Sequence, residues 1–191
     1  GASVDGSAAM ERVLGAYEGV VSRRVCSLDI RAGALSQFDV VLHPGGSGSG
    51  QARSLGPGGR ALEIEFVRGG GGFLGVCAGG YLAACNYEWS LGVLDARTID
   101  TQDGHWRRGR AELEIELTDA GLGLFGERDA SVEIQYVNGP IFAPGERDEI
   151  PDYETLALFR GEVAKNGTSK GVMPGTPALI RGSFGEGRAI A

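Results

Sequence analysis

One cysteine sits where a cysteine can do chemistry. In Phe73-Leu74-Gly75-Val76-Cys77-Ala78-Gly79-Gly80-Tyr81-Leu82-Ala83-Ala84, a short apolar run leads into Cys77 and a run of mostly small residues follows. A strand that turns sharply into a helix holds a nucleophile at its tip, and side chains beside such a turn must be small. Gly75 and Gly79 stand two residues either side of Cys77 and meet that demand. The helix that follows points its positive end at the sulfur, which favours the anionic form. A lone cysteine is more commonly a small buried hydrophobe, but a core strand has no use for four nearby glycines. The pattern reads as a nucleophile elbow, with Cys77 as the candidate catalytic residue.

A sulfur that attacks a carbonyl needs donors for the oxyanion and a base for the proton. The turn Pro44-Gly45-Gly46 follows the apolar run Phe38-Asp39-Val40-Val41-Leu42 and His43. If that run is a parallel strand, the turn lies at the sheet edge where ligands bind. Its backbone N–H groups, with the one after Cys77, are then candidate oxyanion donors; an ordinary glycine turn is the plainer reading. The chain has two histidines, His43 and His105. Both are weak candidates for the base, since neither sits in a recognisable base motif and loop histidines are more often surface residues. Asn138-Gly139-Pro140 is a turn signal with an amide able to line a site; the structural reading is the stronger one. The run Gly46-Ser47-Gly48-Ser49-Gly50 has no Gly-Lys-Ser/Thr ending, and no helix is expected to open directly after it, so a phosphate loop or dinucleotide fingerprint is rejected.

The surrounding elements are those needed to hold an elbow. Ser7–Tyr17 reads as a helix with Ala8, Val13, Leu14 and Tyr17 inward, and Val20–Cys26 as a β-branched strand. Phe38–Leu42 is a strand, Pro57 marks a helix start and Arg60–Arg68 continues it. Gly69–Gly72 leads to the elbow strand. Beyond the elbow, Glu112–Leu117 alternates apolar and acidic residues, and Ser131–Val137, Thr155–Phe159, Ala178–Arg181 and Arg188–Ala191 read as further strands. Alternating strands and helices followed by strands alone predict an α/β fold whose mostly parallel central sheet carries antiparallel additions.

Bulk properties narrow the function classes. A chain of 191 residues is most simply one domain, residues 1–191. Its 34 glycines are more than twice the usual share of about 7%, which suits turns and close backbone approaches. A net charge of −7 argues against nucleic acid or an anionic membrane as partner. The basic run Trp106-Arg107-Arg108-Gly109-Arg110 reads as a solvated loop face. Cys26, Cys77 and Cys85 are odd in number and lack metal-type spacing, so no metal is expected, and a reducing, cytoplasmic setting is mildly preferred. The first residue is Gly1 rather than Met, which leaves room for a removed signal peptide.

These segments resemble the class I glutamine amidotransferase-like superfamily, and within it the biotin–protein ligase N-terminal-like family. The resemblance rests on His43-Pro44-Gly45-Gly46 and Gly75-Val76-Cys77-Ala78-Gly79-Gly80-Tyr81. It extends through His105-Trp106-Arg107-Arg108-Gly109, Tyr136-Val137-Asn138-Gly139-Pro140-Ile141-Phe142 and Lys170-Gly171-Val172-Met173-Pro174-Gly175. It implies a flavodoxin-like α/β sandwich, Cys77 as nucleophile, and oxyanion donors on Gly46 and Ala78, with Gly45, Asn138 and Gly139 as pocket residues. It implies amide hydrolysis or transfer through a thioester, with a small-molecule substrate and no cofactor. The alternative is a non-catalytic small-molecule-binding or regulatory domain that keeps the elbow as a pocket. Such folds open with a strand before the first helix and carry a catalytic histidine after the last strand. The present chain matches neither pattern, so it is expected not to turn over glutamine as it stands. It has no Gly-Arg-Gly-type lysine-bearing segment, so biotinyl transfer by this chain alone is not expected.

Overall fold

The computed structural model describes residues 2–99, 108–126, 129–163 and 169–191. Nine strands and five α-helices are seen among them. Strands β1 (Val40–His43), β2 (Gly72–Gly75) and β9 (Gly187–Ile190) pair in parallel. The sheet continues antiparallel through β8 (Pro177–Phe184), β7 (Glu154–Phe159), β4 (Arg110–Leu117) and β5 (Ser131–Val137). Its order is β1-β2-β9-β8-β7-β4-β5. The fold is thus the expected α/β, flavodoxin-like class, parallel at one end and antiparallel over the rest. Two three-residue strands not foreseen from sequence, β3 (Ala96–Thr98) and β6 (Phe142–Pro144), form a separate antiparallel pair.

The parallel end positions the site. Register Val40↔Gly72 through His43↔Gly75 brings β1 and β2 to a common carboxyl edge. The Pro44–Gly46 turn and the Val76–Cys77 turn leave that edge side by side. A ladder bond from Val76 N–H to His43 O at 2.9 Å carries the pairing one residue past β2. The core beneath is built on Val41, Phe73, Ala189, Val67 and Leu55. A second cluster, with Leu113, Tyr136, Ile141, Phe159 and Met173, supports the antiparallel end.

Helix α3 (Gly48–Arg68) corrects the expectation that no helix opens in the glycine-serine run. The hydroxyl of Ser47 accepts the Gly50 N–H at 3.1 Å and caps it. Glycine's poor helix propensity hides this half in the sequence; buried Gln51, Ala52 and Leu55 hold it in place. At Gly56 the backbone leaves the helical region (φ 67°, ψ 174°), and Pro57 begins the second half. Arg31 Nη2 donates to the Leu55 carbonyl at 2.7 Å beside the break.

Two other expectations are corrected near the start of the chain. Helix α1 (Val4–Leu14) has no buried residue, and Val13 and Tyr17, expected inward, are 56% and 63% exposed. Val20–Cys26 is not a strand: it belongs to neither sheet, and Val21 is 87% exposed. Its β-branched residues favour extended backbone, but a strand exists only when a neighbour accepts its ladder bonds, and among the described residues the sheet ends at β1. Short helix α2 (Ser27–Arg31) follows directly.

Urea melts should separate these regions. Val21→Asp is expected to change stability by no more than about 0.5 kcal/mol, as for an exposed, unpaired position. Phe73→Ala in β2, 2% exposed, is expected to cost about 3–5 kcal/mol.

Candidate functional site

Cys77 lies between β2 and helix α4 (Ala78–Ala83) with φ 55° and ψ −99°. A non-glycine residue at positive φ is strained by about 1–3 kcal/mol and persists only where its surroundings hold it. Those surroundings are backbone. A Cβ on Gly75 would stand 2.6 Å from the carbonyl carbon and oxygen of Gly79. A Cβ on Gly79 would overlap His43 O and come within 2.9 Å of His43 Cβ. The two glycines therefore let the elbow press on itself and on β1 at once. The Gly79 and Gly80 N–H groups donate to Val76 O and Cys77 O at 3.0 Å each. The Ala78 N–H occupies the first helical position, where no carbonyl of the helix is in reach.

The Pro44–Gly46 turn closes one side. A Cβ on Gly45 would be 3.7 Å from Cys77 Cβ and 4.0 Å from its Sγ, so the turn and the thiol are in contact range. Gly46 takes φ 136° and is exposed. The start of the chain lies across this turn: Ser3 N–H donates to Gly45 O at 2.9 Å, and Ala2 pairs with Gly46.

The other side comes from β5, at the far end of the sheet order. The thiol of Cys77 donates to Val137 O at 3.4 Å, so the sheet must curl to bring its seventh strand to the turn after its second. Beyond Val137, Asn138 turns with φ 54°, and Tyr81 Oη donates to Gly139 O at 2.9 Å and to Asn138 O at 3.3 Å. Tyr136 Oη reaches the same Gly139 O at 2.6 Å. Gly139 is buried and the Asn138 side chain is exposed. The structure thus brings Gly45, Cys77 and the Val137–Gly139 segment together, with Gly46 and Ala78 next to them in the chain.

Three neighbours were not foreseen. Tyr81, one helical turn past Cys77, was visible only as a large residue in a helix of small ones. Tyr136 was visible only as an inward position of an alternating strand. Arg108, read as part of a solvated face, instead places its guanidinium 4.5 Å from the centre of the Tyr81 ring. Burial raises the hydroxyl pKa of both tyrosines, partly offset by the Arg108 charge. Both phenols are therefore protonated donors at neutral pH. Trp106 and Arg107 of the same run lie outside the described residues.

His43, a candidate base, lies in the core. It is 9% exposed and faces α3, with Nδ1 3.0 Å from Gln51 Oε1 and Nε2 3.1 Å from Glu63 Oε2. Its ring stacks on Phe73 at 5.4 Å. Alternation along β1 sends His43 to the same face as buried Val41, into the core. His105 lies outside the described residues. Among the described residues, no three His, Cys, Asp or Glu side chains gather as a metal site, and no helix is long and apolar enough to cross a membrane. Two clefts, one by Arg53, Arg60 and Trp89 and one by Arg147, Glu149 and Phe184, contain none of the site residues.

With this geometry in hand, the family model described as biotin-protein ligase, N terminal, matches residues 35–191. Among solved structures, the chain is similar to a putative ThuA-like protein from Bacteroides uniformis ATCC 8492, at 12% identity and TM-score 0.64. That match covers 97% of this chain and 71% of that one. A cytoplasmic protein from Salmonella typhimurium LT2 is similar at 16% identity and TM-score 0.57, covering 97% and 74%. A β-galactosidase from Bacillus circulans sp. alkalophilus matches at 16% identity and TM-score 0.46, covering 80% of this chain but only 18% of that one. No curated protein matches the chain in sequence.

Two outcomes test the site's construction. Gly79→Ala should destabilise the fold by about 1–3 kcal/mol in urea melts, as overpacking does, because its new methyl meets backbone. The second concerns His43, whose pKa is raised: burial opposes its charge most strongly, but the hydrogen bond and charge of Glu63 and the Gln51 oxygen outweigh it. A raised folded pKa stabilises fully below the unfolded value of about 6.5 and less as pH rises through the folded value. Unfolding free energy should therefore fall as pH climbs above about 6.5. In Glu63→Gln that slope should flatten or reverse, because burial is then no longer opposed by an anion.

Proposed function

The chain belongs to the biotin-protein ligase N-terminal family, and from that premise we propose that it is a cysteine-dependent acyl-transfer domain of the class I glutamine amidotransferase-like superfamily. It would cleave or transfer the amide of a small molecule through a thioester at Cys77. The observation that carries this reading is the strained Cys77 backbone, φ 55° and ψ −99°, held beside the Pro44–Gly46 turn. Strain of this kind persists at a site that uses it.

In this reading the Cys77 sulfur forms a bond to the amide carbon, the carbon–nitrogen bond breaks, and the thiol's proton ends on the departing nitrogen. Water then cleaves the carbon–sulfur bond, releasing the acid and restoring the thiol. The oxyanion formed at each stage faces the N–H groups of Gly46 and Ala78, and a donor in that role contributes about 10²–10³ in rate. His43 is buried, with its ring nitrogens engaged by Glu63 and Gln51. An activated ester, whose leaving group needs no proton, is therefore the substrate type these residues handle first. Glutamine turnover is expected to be absent from these 191 residues. The three thiols are free, which suits a reducing, cytoplasmic setting, and the acidic net charge suits neither nucleic acid nor an anionic membrane.

A second reading, a non-catalytic small-molecule-binding or regulatory domain, draws support from His43, the described histidine, which is withdrawn into the core. p-Nitrophenyl acetate separates the two. The first reading expects one acetyl group on Cys77 by peptide mass, formed faster than on Cys26 or Cys85 and lost in Cys77→Ala. Acetylation no faster at Cys77 than at exposed Cys26 would overturn it in favour of the binding domain.

A further inference from the structure

Behind the Pro44–Gly46 turn runs a buried polar chain that the chemistry above does not use. Glu63 is 0% exposed, Gln51 4% and His43 9%. Glu63 contacts His43 Nε2 through both oxygens at 3.1 and 3.2 Å. His43 Nδ1 is 3.0 Å from Gln51 Oε1, and Gln51 Nε2 donates to Pro44 O at 2.7 Å. A backbone carbonyl can only accept, so Pro44 O fixes the amide of Gln51 with its nitrogen outward and its oxygen toward His43. Nδ1 must then carry a hydrogen, and the carboxylate of Glu63 takes up the other side of the ring. Each member sets the orientation of the next, and the chain ends on one peptide group of the turn.

That peptide group matters because it is planar and trans. Its carbonyl and its N–H point in opposite directions. Holding Pro44 O inward aims the Gly45 N–H away from the core. The next peptide is held the same way from outside: the Ser3 N–H donates to Gly45 O, so the Gly46 N–H is aimed away from Ser3. Glycines carry no side chain to lock their own backbone, so the turn's two N–H directions depend on these two carbonyl tethers. The inner one is built from three buried polar residues spread over β1 and both halves of α3.

We propose that Gln51, anchored by the His43–Glu63 pair, is a positioning residue that fixes the Pro44–Gly45 peptide, and through it the Gly46 N–H that follows, so that this N–H meets the oxygen of a carbonyl attacked by Cys77. The oxyanion role rests on the thioester reading; the fixing of the turn does not. Misplacement of such a group by about 1 Å can cost about 10²-fold in rate, so the effect should appear in acylation and not in simple alkylation, which forms no oxyanion.

The test compares the full chain with Gln51→Met, Gln51→Glu and Glu63→Gln. Gln51→Glu keeps an acceptor for His43 but, ionised, donates nothing to Pro44 O. Glu63→Gln keeps a hydrogen-bonding partner on His43 and leaves Nδ1–H facing Gln51. Three rates are read: Cys77 acetylation by p-nitrophenyl acetate, Cys77 alkylation by iodoacetamide, and deuterium uptake of a peptide spanning the turn. Both Gln51 variants are expected to acetylate about 10- to 100-fold more slowly, with alkylation within about threefold and faster turn exchange. Glu63→Gln weakens the anchor but keeps Gln51 and its bond to Pro44 O, so its acetylation should fall less than in either Gln51 variant, with alkylation within about threefold. Equal loss of acetylation and alkylation, unchanged turn exchange in Gln51→Met, or a loss in Glu63→Gln as large as in Gln51→Met would each overturn the proposal. If one Gln51 variant loses its near-ultraviolet circular dichroism, the other is read; collapse of both makes the residue structural and overturns it. If the parent chain is alkylated but never acetylated at Cys77, the thioester reading fails. Turn exchange then decides the positioning claim alone, faster exchange in Gln51→Met supporting it and unchanged exchange sinking it.

Discussion

The structure depends on one steric constraint: the elbow and the neighbouring strand meet backbone against backbone. Gly79 lies where any side chain would overlap His43 O, and Gly75 lies where any side chain would strike Gly79. Hydrogen bonding follows from that closeness, since Val76 N–H reaches His43 O at 2.9 Å. With β1, β2 and α4 locked together, the backbone of Cys77 has no room to relax from positive φ. The thiol's position is thus set by packing that involves no large side chain, and the strain at Cys77 is offset by the well-buried elements around it.

The same constraint explains what the sequence could and could not show. The elbow was legible because it is encoded in consecutive residues, and only small ones fit. The antiparallel strands were legible because alternation such as Glu112-Leu113-Glu114-Ile115 has a single meaning. His43 was not legible as a core residue. Its partners lie 8 and 20 residues on, in a helix whose first half is masked by Gly48 and Gly50. Val20–Cys26 was misread because β propensity describes a residue's preference and not the presence of a neighbour. Tyr81, Tyr136 and Arg108 were missed because their convergence requires the sheet to curl, which no local pattern records. Gly45 and Cys77 lie side by side, and Asn138 offers its backbone there and leaves its side chain exposed.

The two ends of the sheet contribute different things. The parallel end supplies the thiol and the turn N–H groups, all from backbone edges. The antiparallel end supplies a wall: Val137 O takes the thiol hydrogen, and Gly139 O gathers two tyrosine hydroxyls. That wall is rigid for a simple reason. Tyr81 comes from α4 and Tyr136 from β5, so one carbonyl ties the elbow helix to the far strand. Tyr136 also packs edge-to-face on Phe159 of β7 at 5.7 Å, which anchors the wall in the second core.

Proton bookkeeping then limits what chemistry the described residues can perform. Both tyrosines are donors to carbonyls and are held protonated by burial, so neither takes a proton from the thiol. His43 spends both ring nitrogens on Gln51 and Glu63. Removing either partner would leave a buried charge or an unmatched donor, a change that typically costs about 3–5 kcal/mol for an ion pair. The pair is therefore costly to dissolve, and it stays fixed. A histidine beside such a turn is ordinarily read as a base because of its pKa; here the ring holds a glutamine that holds a peptide plane. The distinction follows from which face of β1 the residue occupies, since the strand's alternation sends His43 inward while its carbonyl stays with the elbow.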